Sequence, residues 1–162
     1  MMRTVLYSVK PEFANLILSG QKTVELRKRA PILEPNDRVL LYASSPQKQL
    51  VGLIEVTEII TDQIDLLWAR VKERACIDLD RFQDYFRGKE LGFGLCLGRV
   101  QAFQKPISLD DLRAQWQGFN PPQDYRYVTL EMKSPRVIQR NVHQIAMVNL
   151  GQCDRNDFLI RI

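Results

Sequence analysis

Histidine is almost missing from this 162-residue chain, with His143 as its single example. Everything before that position therefore lacks the commonest general base at neutral pH. Cysteine is also sparse. Cys76, Cys96 and Cys153 are odd in number and far apart, and neither a CxxC pair nor a Cys/His cluster accompanies His143. That spacing argues against a disulfide framework and against a zinc site, and it leaves the thiols to be read as buried structural groups. Nothing is spaced to hold a metal, and no organic cofactor is expected. No apolar run reaches membrane-spanning length, and the N-terminal MMRTVLYSVK lacks the apolar core of a signal peptide. The expectation is a cytoplasmic protein with no membrane partner.

What is present suits one globular domain: 45% hydrophobic and 26% charged residues fall in the ordinary range. The net charge of +4 and pI near 9.1 are only mildly basic. Distribution says more than the total. Between Lys10 and Arg29, twenty residues hold five cations (Lys10, Lys22, Arg27, Lys28, Arg29) against two anions (Glu12, Glu25), a local excess of three. An anionic partner suits such a segment.

Residue periodicity predicts a mixed α and β order. Thr4 to Val9 reads as a strand; Pro11 opens a short helix carrying Phe13, Leu16 and Ile17, and Gly20 stands at its C-terminal cap. From Lys22 to Arg29 the period returns to two, with Val24 and Leu26 on one face and Thr23, Glu25, Arg27 and Arg29 on the other. RVLLYAS and LVGLIEVTEII are further strands, the second with Gly52 marking a bulge or a close approach of backbones. Asp65–Ala75 and Leu79–Phe86 have helical spacing, and their aromatic stripe of Phe82, Tyr85 and Phe86 reads as core. GFGLCLGRVQAF is a glycine-thinned strand, Ser108 with Asp111 offers an imperfect capping box for a short helix, and YRYVTLEM is a strand. Past Met132 the signals weaken, with one or two strands in VIQRNVHQIAMVNL and a closing strand in FLIRI. Val5, Leu6, Val24, Leu26, Val39, Leu41, Ile54 and Val56 are expected on one curved sheet with an apolar interior and helices outside it. The fold class predicted is α+β, a small, partly open mixed β-barrel with short flanking helices.

The segment SVKPEFANLILSGQKTVELRKR carries Lys10, Pro11, Gly20, Lys22, Thr23, Glu25 and Arg27 in the order strand, K-P, helix, G-x-K-T-x-E-x-R. In this it resembles the ASCH domains of the PUA-like superfamily. The likeness continues through Ser44, Ser45 and Pro46 after Tyr42, then Gly52, Trp68, Tyr85-Phe86-x-Gly88, and Pro121, Pro122, Gln123 with Tyr125. It covers residues 1–130, leaving 131–162 as an extension expected to pack on the same domain. The subfamily it looks like is often labelled predicted transcriptional regulator, with some members fused to a helix-turn-helix; no such pattern occurs in this chain.

The resemblance implies a cleft beside the first helix that takes RNA, another single-stranded nucleic acid, a modified nucleoside or a nucleotide fragment. Lys22 and Arg27, with Lys10, can meet phosphate oxygens, and Glu25 can accept hydrogen bonds from a base or a sugar hydroxyl. Thr23, Tyr42, Ser44, Ser45, Gln123 and Tyr125 complete the candidate ligand-binding set, Tyr125 as a stacking surface and the serines as phosphate donors. A plain row of surface ion pairs is the competing reading of Lys22, Glu25 and Arg27.

Two enzymatic alternatives stand beside binding, with Lys22 and Glu25 as their candidate catalytic residues. Some small ASCH proteins hydrolyse acetylated cytidine and carry G-x-K-T-x-T-x-R. Here Glu25 replaces the second threonine, and its charge opposes deprotonation of Lys22. A ribonuclease needs an acid, a base and a phosphate clamp, which Lys22, Glu25 and Arg27 can supply. A protein-interaction module without a nucleic-acid ligand is the third class, and it predicts an exposed apolar patch.

Overall fold

β-branched and aromatic alternation makes β1 (Thr4–Val9) a strand, and Pro11, whose missing N–H costs a helix nothing at its first turn, starts α1 (Pro11–Leu18). There follow β2 (Val24–Arg27), β3 (Arg38–Ala43), β4 (Gln49–Gln63), α2 (Ile64–Val71), α3 (Leu79–Phe86), β5 (Leu91–Ser108), α4 (Leu109–Gln115) and β6 (Tyr125–Tyr127). This is a computed structural model, and it describes residues 3–128. The extension over 131–162, with His143, Cys153, VIQRNVHQIAMVNL and FLIRI, lies outside the described residues.

The strands form one six-stranded sheet in the order β2-β5-β4-β3-β1-β6, parallel between β1 and β3 and antiparallel elsewhere. The long β4 and β5 curl it. Their register shifts at Leu50/Gly52, Ile54/Val56 and Val56/Glu58, and each such bulge adds local twist. Gly52 is both of the things its sequence position suggests: it lies at a shift, and a Cβ there would stand 2.9 Å from the Gln101 carbonyl.

Strand alternation divides the apolar residues between two faces. Val5, Tyr7, Val9, Val39, Leu41, Ile54, Val56 and Leu95 make the inner face, on which Ala14 and Ile17 of α1 pack. The opposite face carries Leu6, Leu40, Tyr42, Phe103 and Ile107 under α4 and Trp116 at one end, and Val24, Leu26, Ile60 and Cys96 under α2 and α3 at the other. The α+β class and the single curved sheet are as expected. Two details differ. The first helix packs on the interior rather than outside it, because Ala14 and Ile17 complete an inner face that six strands leave open. Val24 and Leu26 turn towards α2 and α3, so the inner face of β2 is built from Glu25 and Arg27 rather than apolar residues.

Cys96 is buried and its thiol pKa is raised by that burial, whereas Cys76 is half-exposed, its thiol donating to the Gln21 carbonyl at 3.4 Å. The reading of every thiol as buried therefore fails at Cys76.

Candidate functional site

The turn after α1 delivers the first site residue. Gly20 takes φ +77°, a left-handed conformation that a side chain would oppose. Its N–H reaches the Ile17 carbonyl at 3.0 Å, and the Lys22 N–H reaches Leu16 at 2.9 Å. The reversal tucks Lys22 beneath α1, its ammonium 5.0 Å from the Phe13 ring centroid and 2.6 Å from the Ala75 carbonyl.

From there the period of β2 sends Glu25 and Arg27 to the same side as the Lys22 ammonium. Glu25 Oε2 lies 3.5 Å from Lys22 Nζ, and Oε1 lies 3.0 Å from Arg27 Nη2. Arg27 also donates from Nη2 to the Ser8 carbonyl at 3.0 Å and from Nη1 to Asp124 Oδ1 at 2.9 Å, with its guanidinium 4.3 Å from the Tyr7 ring centroid. The three charged side chains are only 3%, 9% and 6% exposed in chain order. A surface ion-pair row would be solvated, so that competing reading does not describe this geometry.

Burial lowers the Lys22 pKa below the ordinary lysine value, outweighing the opposite pull of Glu25. The adjacent carboxylate opposes that lowering, as the sequence argument holds, but burial is the larger effect. Burial likewise raises the hydroxyl pKa of Tyr7 and of Tyr85.

Above the charged row is an open cavity of about 460 Å³, walled by Lys10, Phe13, Leu26, Arg81 and Tyr85 and floored by Lys22, Glu25 and Arg27. A second cavity of about 400 Å³ adjoins it and shares Ser8, Val9 and Lys10. Tyr42, Ser44, Ser45, Lys48 and Gln123 line this groove.

Of the candidate residues, Lys10, Lys22, Glu25 and Arg27 thus meet in one cavity, and Tyr42, Ser44, Ser45 and Gln123 meet Lys10 in the next. Tyr42 is 2% exposed and packs in the core under α4, leaving only an edge for the groove. Thr23 lines neither cavity; its backbone pairs with Arg74 and Leu97 and so positions the start of β2. Tyr125 also lines neither. It packs half-buried on the inner face, 5.7 Å from the Tyr7 ring, and so supports the surface on which Arg27 lies.

Phe13, Tyr85 and Asp124 were not legible as site residues. Helical spacing assigns Phe13 and Tyr85 to the core, but Phe82 and Phe86 take the buried positions of α3 and leave Tyr85 on its flank. Asp124 is 97 residues from Arg27, and no local pattern announces that pairing.

Among the described residues no helix is long and apolar enough to cross a membrane, and no cluster of metal-ligating side chains occurs. The ASCH domain family model matches residues 8–127. A Zymomonas mobilis protein named ASCH domain-containing ribonuclease is 35% identical over 124 residues, 76% of this chain and 83% of that one. The crystal structure of an ASCH protein from Zymomonas mobilis superposes with a TM-score of 0.76 at 33% identity, covering 80% of this chain and 90% of the other. A Ureaplasma parvum protein named large ribosomal subunit protein uL22 is 25% identical over 109 residues, 67% of this chain but 35% of that protein. None of these relatives is named a transcriptional regulator. With a family match over most of the chain and a solved relative of the same curled sheet, this protein belongs to the ASCH domain family.

Proposed function

We propose that this protein binds RNA by seating one nucleotide in the cleft floored by Lys22, Glu25 and Arg27. The observation that carries the reading is the burial of this charged row at the bottom of an open cavity of about 460 Å³. Burying three charges costs several kcal/mol per ion unless each is well paired, and here the row offers fixed donors and acceptors to an incoming polar edge. Phe13 and Tyr85 supply apolar walls for a base. The relative named a ribonuclease lends support from outside the geometry.

The pairing changes which cations serve the phosphates. Lys22 and Arg27 are already neutralised by Glu25 and Asp124, so they read the base or sugar, and the exposed Lys10 meets the backbone.

RNA cleavage is the second reading, favoured by Lys22 having its pKa lowered by burial 3.5 Å from Glu25. In that scheme Glu25 accepts the 2′-hydroxyl proton as O2′ bonds to phosphorus. The P–O5′ bond then breaks, Lys22 gives a proton to O5′, and the products are a 2′,3′-cyclic phosphate and a 5′-hydroxyl. Short single-stranded RNA, single-stranded DNA and duplexes, titrated at several salt concentrations and then weighed by mass spectrometry, separate the readings. Intact, salt-sensitive RNA complexes support binding alone, cyclic-phosphate fragments support cleavage, and no complex with any nucleic acid contradicts both.

A further inference from the structure

We infer that the cleft and its neighbouring groove hold two successive nucleotides of one single strand, with Lys10 at the phosphate between them. This rests on the RNA reading of the cleft. The two cavities, about 460 and 400 Å³, are each of a size for one nucleotide and share Ser8, Val9 and Lys10, at and just past the end of β1, as a common wall. A chain leaving the first cavity for the second crosses that ridge.

The charges divide along the same line. Cations beneath the first cavity are paired, Lys22 and Arg27 with Glu25 and Asp124, and Arg81 on its wall with Glu12 at 2.7 Å. Lys10 on the ridge and Lys48 in the groove are exposed, and among the described residues neither has a carboxylate in ion-pair contact. Free cations suit a nucleic-acid backbone, whereas paired ones suit directional reading of a base. The Ser44 and Ser45 hydroxyls and the Gln123 amide supply donors and acceptors for a second base or ribose.

The groove is also fixed in place. Ser44 N–H donates to the Val9 carbonyl at 2.8 Å, Lys48 N–H to Ser44 at 3.0 Å, and Leu109 N–H to Lys48 at 3.0 Å, which ties the β3–β4 turn to the ridge and to α4. Two neighbouring concave sites require splayed bases, so the occupant is single-stranded rather than a duplex.

The test uses 5′-phosphorylated mono-, di- and trinucleotides with 2′-fluoro sugars, which cannot be cleaved through O2′, titrated calorimetrically into the full-length protein. The dinucleotide should bind at least about tenfold more tightly than the mononucleotide, as one phosphate contact and one base contact supply, and the third nucleotide should add little. Lys10→Ala and Lys48→Ala should each lower the ratio of dinucleotide to mononucleotide affinity severalfold, since each removes a backbone contact and leaves the second base contact in place. Measurable mononucleotide binding that weakens in Glu25→Gln, together with a wild-type ratio near one, overturns the second subsite and leaves the cleft reading intact. A high ratio that survives both lysine substitutions also overturns it. Failure of these probes and of the same oligonucleotides with 2′-hydroxyl sugars to bind overturns both proposals.

Discussion

Arg27 joins the two ends of the sheet. It stands on β2, first in the strand order, yet it bonds to Ser8 on β1 and to Asp124 just before β6, the last. Removing one member of a buried ionic network leaves the others uncompensated, at a cost of roughly 3–5 kcal/mol. Arg27→Met should lose about that much in urea unfolding, and Arg27→Met with Glu25→Gln should recover part of it; a loss below about 1 kcal/mol, the usual worth of a surface pair, contradicts the network. Lys22 adds a pH dependence of definite sign. Its folded-state pKa lies below the ordinary 10.5, so between the two values the unfolded chain binds more protons and stability rises with pH. Wild type should therefore gain stability relative to Lys22→Met as the pH rises from neutrality towards 10.5. A decline over that range contradicts the burial argument.

Helix α3 walls the cleft, and it can do so because β5 lets it and α2 approach closely. A Cβ at Gly92 would meet Leu67 Cδ2 and Phe86 Cε1, each at 2.7 Å, within a packed cluster. Gly92→Ala should destabilise by roughly 1–3 kcal/mol through overpacking and displace Tyr85 with its helix, which denaturant melts and tyrosine fluorescence will report. At the other end Ser108 caps α4, its Oγ accepting from the Asp111 N–H at 3.1 Å, and Ser108→Ala should cost about 1 kcal/mol. Both features are local and were legible: Gly92 thins a strand-like run, and Ser108 stands three residues before Asp111. The ends of long elements were less so. The spacing extends α2 to Ala75, but the helix stops at Val71 and the chain turns through Cys76 at φ +51°. The Ala75 carbonyl is thereby turned to the Lys22 ammonium, a tertiary demand across 53 residues. Strand β5 runs on to Ser108, past Phe103, because register shifts in its pairing with β4 break the alternation that marks a strand.

At the scale of the whole molecule, the G-x-K-T-x-E-x-R segment pointed to the candidate site, since its residues lie close in sequence and strand period fixes their common side. Their burial was not legible. It depends on Tyr7, Ala75 and Asp124 converging from three other parts of the chain, and it converts supposed phosphate clamps into an internally neutralised floor. On the RNA reading, salt dependence falls to the exposed lysines and selectivity to Glu25. The decisive measurement is the affinity of wild type and Glu25→Gln for single-stranded RNAs differing in one base, across a salt series. The variant should remain folded, keep the wild-type salt slope to within about 0.7, the value of one phosphate contact on a single strand, and lose its preference among bases. Unchanged base preference and unchanged affinity in a folded Glu25→Gln protein would show that RNA does not bind in this cleft.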